Sequence, residues 1–162
     1  MNIGPSFINI TTGNGSSWQI NQLDPTKLAV FVGDVVYING PKPAMCNCQF
    51  GPLTALNTSN GTSWQVLFTV DNGERMSFLV GDVIYFDALG NNGTELWAYN
   101  TSNNTGWMVS DINTFSHSNP GEHLSVLVGD TIYFSADDGS TGVELWAHNT
   151  TNGTTWQVPD IW

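Results

Sequence analysis

The chain has 162 residues, 40% of them hydrophobic and only 10% charged, with a formal net charge of -11. That length and apolar content suit one ordinary domain with a packed core rather than a disordered polymer. Three Lys and Arg against fourteen Asp and Glu exclude the basic footprint that binding to nucleic acid or an anionic membrane requires.

In chain order, the first strand-like run is Phe7 to Thr12, followed by the turn residues Gly13-Asn14-Gly15 and a second run opening at Trp18. Next come LAVFV, the pair Gly33-Asp34, and VVYIN. Two β-rich runs joined by Gly-Asp read as a tight hairpin. A Pro- and Gly-bordered stretch follows, holding Lys42, Met45, Cys46 and Cys48. A disulfide across one intervening residue is strained, so the cysteines read as a free loop pair, with a metal contact or an interchain bridge as the alternatives. The run PLTALN, the turn NTSNGTS and a strand beginning at Trp64 close the unit.

The same order recurs at a spacing of 48 residues, seen in Gly33-Asp34, Gly81-Asp82 and Gly129-Asp130. The second copy reads MSFLV, Gly81-Asp82, VIYFD, ELWAYN, a turn, and Trp107; the third reads LSVLV, Gly129-Asp130, TIYFS, ELWAHN, a turn, and Trp156. With the four strands of a unit lettered a to d, the chain is a half blade c-d (5–23) and blades a-b-c-d over 27–70, 75–112 and 123–162. No 3.6-residue amphipathic period argues for a helix. A four-stranded meander of this length cannot bury both faces alone, and packing such units around an axis buries them and shields most edges. Runs such as SFLV and IYF are apolar at consecutive positions, as strands covered on both faces are. The expected fold is therefore all-β, a β-propeller type of four-stranded antiparallel blades, about three and a half in the chain, with a β-sandwich as the alternative.

The segment running from Tyr133-Phe134 through Ala136-Asp137-Asp138-Gly139, Gly142, Glu144-Leu145-Trp146 and Val158 to Asp160-Ile161 resembles the ELWxxDGT repeat family. The preceding unit matches through Tyr85, Phe86, Gly93, Glu95, Leu96, Trp97, Asp111 and Ile112, but carries Asp87-Ala88-Leu89-Gly90 where the acids stand in the last one. The family's DGT turn is replaced by Asn149-Thr150-Thr151. The units are also similar to kelch repeats, and the turn-Trp pieces to the Asp box of sialidase-like propellers with Asn in place of Asp. These resemblances imply a propeller; they say less about function, because propellers host binding, scaffolding and catalysis alike.

Trp18, Trp64, Trp107 and Trp156 each open strand d, and Trp97 and Trp146 sit in strand c; a Trp repeated at one position reads as packing between or along blades. Asp34, Asp82 and Asp130 read as turn residues. Asp137, Asp138 and Glu144 are the set that calcium would choose if the chain bound a cation, and no other cofactor is expected. Sequons begin at Asn9, Asn14, Asn57, Asn60, Asn92, Asn100, Asn103, Asn149 and Asn152, mostly in c-d turns of the type I′ kind, and are glycosylation candidates in an exported chain. His148 replaces Tyr99 of the preceding unit and reads as a strand-surface residue.

Antiparallel order puts the a-b and c-d turns on one rim and the b-c and d-a connections on the other. The second rim carries the variation and is the expected binding face, with Lys42, Met45, Cys46, Cys48, Asp71, Glu74, Arg75, His117 and His123 as its candidate residues. The single arginine excludes a sialidase site, which needs a cluster of three, and no carboxylate pair is recognisable for another glycosidase. The expected function is a non-catalytic extracellular or cell-surface module for protein contact, adhesion or self-assembly, with a glycan-binding lectin, and after it a propeller glycosidase, as the alternatives. No membrane insertion is expected, since no apolar run is long enough to span a bilayer and no leader-like segment opens the chain. Three and a half blades cannot close a ring, so the expected partner is the chain itself, as an oligomer or filament, or neighbouring blades.

Overall fold

The computed structural model describes residues 7–11, 17–21, 29–39, 51–70 and 76–159, in which there are fourteen strands and no helix. The half blade is β1 (Phe7–Thr11) with β2 (Ser17–Asn21), an antiparallel pair that forms its own sheet. Blade 1 is β3 (Ala29–Val32), β4 (Val35–Asn39), β5 (Gly51–Asn57) and β6 (Ser63–Val70). Blade 2 is β7 (Ser77–Val80), β8 (Val83–Leu89), β9 (Thr94–Asn100) and β10 (Thr105–Ser110). Blade 3 is β11 (Ser125–Val128), β12 (Thr131–Asp137), β13 (Val143–Asn149) and β14 (Thr155–Gln157). Each blade is an antiparallel meander in which consecutive strands pair.

The a-b hairpins have two-residue loops, Val32 pairing with Val35, Val80 with Val83 and Val128 with Thr131. Only the Gly of each Gly-Asp pair has a positive φ, 57° or 58°, which is the II′ pattern with Gly at the first position. The c-d turns differ from the two-residue type I′ form that their Asn-Gly pairs suggest. Asn57 pairs with Thr62 across a four-residue loop, its N–H donating to the Thr62 carbonyl at 2.8 Å, and Asn149 does the same with Thr154 at 2.9 Å. The reason is the side chains. Asn57 Oδ1 accepts from the N–H groups of Ser59 and Asn60, and Asn60 Oδ1 from Thr62. These Asx bonds stabilise a wider loop than a bare Asn-Gly would choose. Asn100 with Asn103, and Asn149 with Asn152, repeat the arrangement.

The rim holding these turns is stapled. Thr58 donates both its N–H and its hydroxyl to the Asp34 carbonyl, at 2.7 and 2.8 Å. Thr101 does so to Asp82 and Thr150 to Asp130. The repeated Asp therefore ties the two hairpins of its blade through its backbone oxygen, with its carboxylate exposed.

The faces alternate with period 2. On each blade one face carries the repeat's Tyr and the other its Val or Ile at the preceding position. The Tyr face of blade 1 (Tyr37, Leu53, Ala55, Val66) packs on Ile84, Phe86, Ala88 and Tyr99 of blade 2. The Tyr face of blade 2 (Met76, Tyr85, Leu96, Ala98) packs on Ile132, Phe134 and Ala136 of blade 3. Trp97 packs against the first cluster and Trp146 against the second. β3 lies alongside β7, so strand a meets strand a across this first junction. The β10-to-β11 crossover latches onto β12, with Asp137 N–H donating to the Ser118 carbonyl at 2.9 Å. One register earlier in the repeat, Val70 of β6 pairs with Ala88 of β8.

Candidate interaction surfaces

On the variable rim, the described connections are the b-c turns of blades 2 and 3 and the crossover from β10 to β11. Glu95 on β9 organises them. Its carboxylate is fully buried and accepts the Ile112 N–H at 2.8 Å, the Ser118 N–H at 3.1 Å and the Ser118 hydroxyl at 2.6 Å. Burial pushes its pKa up, and the Ser118 and backbone hydrogen bonds pull in the opposite direction. His117 Nδ1 accepts the Thr94 N–H at 3.0 Å, so its Nε2 carries the proton in the neutral ring. Asn113 Oδ1 accepts the N–H groups of Phe115 and Ser116. A Cβ on Gly93 would collide with the Ser116 carbonyl, and one on Gly139 would press on the Asn113 side chain at 2.9 Å. The crossover is thus clamped from both neighbouring b-c turns, yet it holds the Phe115 side chain 93% exposed.

The expected calcium ligands do not converge. Among the described residues, no group of three His, Cys, Asp or Glu side chains is arranged to hold a metal. Asp138 is consumed by its own turn: Oδ1 accepts the N–H groups of Ser140 and Thr141, both at 2.8 Å, and Oδ2 accepts the Ser140 hydroxyl at 2.8 Å. The Thr141 and Ser140 N–H bonds lower its pKa to about 2. Asp137 Oδ1 accepts the Gly139 N–H at 2.7 Å. Glu144 stands at the repeat position of Glu95, whose carboxylate is engaged by backbone N–H groups.

His117 and His123 are both exposed on the crossover. His123 donates its backbone N–H to Ser135 Oγ at 2.9 Å, which fixes the entry to β11. Lys42, Met45, Cys46, Cys48, Asp71, Glu74, Arg75 and Asn14 lie outside the described residues. Asn9 and Trp18 are placed on β1 and β2 by register alone. Asn60, Asn92, Asn103 and Asn152 are exposed, and Asn57, Asn100 and Asn149 half-buried.

His148 overturns its reading as a surface residue. It is buried between blades 2 and 3, its ring 5.3 Å from that of Tyr85, with Nδ1 2.9 Å from the Thr155 hydroxyl. Burial lowers its pKa. The strand-d residues Trp64, Trp107 and Trp156 sit at the blade margins, partly exposed. Trp64 shares a hydrogen bond with the Tyr99 hydroxyl, which in turn donates to Asn104 at 2.8 Å.

The second surface is the Tyr face of blade 3. Val126, Val128, Tyr133, Leu145 and Ala147 occupy the repeat positions of Phe78, Val80, Tyr85, Leu96 and Ala98. In blade 2 those positions face the next blade and Leu96 is fully buried, whereas in blade 3 Val128 is 60% and Leu145 36% exposed. Sequence reading anticipated an open end but not which face it was. The deciding signal was present in the alternation around the repeated Tyr.

These features define an open array of β-propeller blades. Neither a family model nor a curated protein matches the chain. Among solved structures it is similar to puromycin hydrolase, at 14% identity and a TM-score of 0.57. It is also similar to a mutant of puromycin hydrolase complexed with PGG, at 13% and 0.58. In both cases 93% of this chain is covered and 24% of the other, so the chain spans about a quarter of the length of the structures it matches. At this identity the likeness concerns the fold. Among the described residues no helix is long and apolar enough to cross a membrane.

Proposed function

We propose that the chain is a non-catalytic propeller module that works by protein contact and assembly at a cell surface or outside the cell, as its resemblance to ELWxxDGT-type repeats suggests. The observation that carries this reading is the apolar Tyr face of blade 3, exposed where the same face of blade 2 is buried by its neighbour. Contiguous apolar surface of this kind marks an interaction site. The buried carboxylate of Glu95 is engaged by backbone N–H groups, a structural use that fits the absence of catalysis from the proposal. No calcium or other cofactor enters it.

Sedimentation velocity on the full chain over the micromolar range tests the reading. Species larger than the 17.6 kDa monomer are expected. A well-folded, soluble monomer throughout that range would overturn it.

A further inference from the structure

Resting on that reading of an exported chain, we infer that the c-d rim carries one N-linked sugar per blade, at Asn60, Asn103 and Asn152, while Asn57, Asn92, Asn100 and Asn149 stay bare. Each c-d turn holds two sequons in succession. They are Asn57-Thr58-Ser59 and Asn60-Gly61-Thr62 in blade 1, and Asn100-Thr101-Ser102 and Asn103-Asn104-Thr105 in blade 2. Blade 3 has Asn149-Thr150-Thr151 and Asn152-Gly153-Thr154. A further sequon, Asn92-Gly93-Thr94, lies on the b-c turn of blade 2.

A transferase must reach two groups, the amide nitrogen that takes the sugar and the hydroxyl two residues on that marks the sequon. Only the second sequon of each c-d turn offers both. Asn60, Asn103 and Asn152 are exposed, and so are Thr62, Thr105 and Thr154. Each Thr hydroxyl donates to Oδ1 of its own sequon Asn, at 2.7, 2.6 and 2.7 Å, which holds the two groups side by side. The first sequon fails at the acceptor. Asn57, Asn100 and Asn149 are half-buried, and their Oδ1 atoms each accept two N–H groups that build the loop. Asn92 fails at the hydroxyl. Its amide is exposed, but Thr94 is fully buried, with its hydroxyl 3.0 Å from His117 Nδ1.

Transfer forms a bond from Nδ2 to C1 of the sugar and breaks the C1–O bond to the diphosphate of a glycosyl donor. One amide proton leaves with the diphosphate. Oδ1 survives in the product, so the bonds that shape the turn survive as well. The sugars then cover the stapled rim and leave the variable rim, with its exposed Phe115, to a protein partner.

The full chain, folded and made without glycans, tests this when it is given a soluble sequon-specific N-glucosyltransferase and UDP-glucose. Mass spectrometry of its peptides locates the glucose. Asn60, Asn103 and Asn152 gain it on the order of tenfold faster than Asn57, Asn92, Asn100 and Asn149, because the latter wait for local opening. In a peptic digest of the same chain the preference is lost. Equal rates in the folded chain, or an unchanged preference in the digest, overturn the assignment. The chain secreted from a sequon-glycosylating cell carries glycans at the same three residues, and a secreted chain bare at all three overturns their occupancy. Either failure leaves self-association in sedimentation intact, and a chain that sediments as a monomer leaves the sugars intact.

Discussion

The ring of His148 lies 5.3 Å from that of Tyr85, tilted by 48°, and the two side chains meet across the junction of blades 2 and 3. The same positions one repeat earlier hold Tyr99 and Tyr37, so an imidazole has replaced a phenol at one seam of an otherwise repeated interface. A histidine there can charge, and charging it in an apolar seam is costly.

That substitution makes the seam acid-sensitive. Burial lowers the folded-state pKa of His148 below its ordinary value, so the unfolded chain binds the proton more readily. The stabilisation is complete above the ordinary histidine value near pH 6.5 and declines as pH falls from there through the lowered folded value. Urea midpoints recorded between pH 8 and 5 should fall, and the fall should flatten in His148→Phe. An equal fall in both proteins would mean that the seam is not the sensor.

Glu95→Ala removes three hydrogen bonds and leaves the Ile112 N–H without its acceptor, while the Ser118 N–H and hydroxyl keep only the Thr94 carbonyl. A loss of about 2–4 kcal/mol is expected. Limited proteolysis should then cut within 111–118 faster than in the wild type. Glu95→Gln keeps an acceptor oxygen and should lose less. Because burial raises the Glu95 pKa, the stabilisation tied to its proton is present below the ordinary carboxyl value and lost as pH rises through the raised one. The glutamine variant should accordingly be less dependent on pH above the ordinary carboxyl value than wild type.

Asp138 should titrate with a midpoint of about 2 in a carbon-detected NMR experiment, held down by the Thr141 and Ser140 N–H groups. Its contribution to the turn is present above the ordinary carboxyl value and lost as pH falls through about 2. Millimolar calcium should leave its carboxyl shift in place, because both oxygens are already occupied. A calcium-dependent shift at Asp137, Asp138 and Glu144 together would restore the cation site that the geometry removes.

Leu96 and Leu145 are repeat equivalents with different burial, which makes them a matched pair. Leu96→Ala should cost about 2–5 kcal/mol at any protein concentration, as cavity-forming changes do. Leu145→Ala should cost well under that in dilute solution, where its face is open, and more as concentration rises and the face is covered. Thermal denaturation at two concentrations at least a hundredfold apart reads the difference.

Much of this architecture was legible from the 48-residue recurrence of Gly-Asp and Tyr, because a tight hairpin and a two-sided strand each impose a local residue pattern. The turns were legible as turns but not in size. Asn-Gly alone signals two residues, and the Asx bonds that widen the loop depend on two side chains, Asn57 and Asn60, acting together on the loop's N–H groups. His148 was misread because one strand's pattern does not say what lies beyond the sheet. Glu95 passed as part of a motif, since its partners are backbone groups some 17 and 23 residues away. The acids at Asp137, Asp138 and Glu144 looked like a cluster because they are close in sequence, but Asp138 spends its oxygens locally.

The staples from Thr58, Thr101 and Thr150 take hold of a peptide oxygen at Asp34, Asp82 and Asp130, and so place no demand on the acid side chain. One rim of every blade is fastened by chemistry that mutation of those acids would not undo. The opposite rim is then at liberty to change its loops from repeat to repeat without unpicking the sheet beneath. Such a unit tolerates duplication, since each new copy arrives already closed on one side and negotiable on the other.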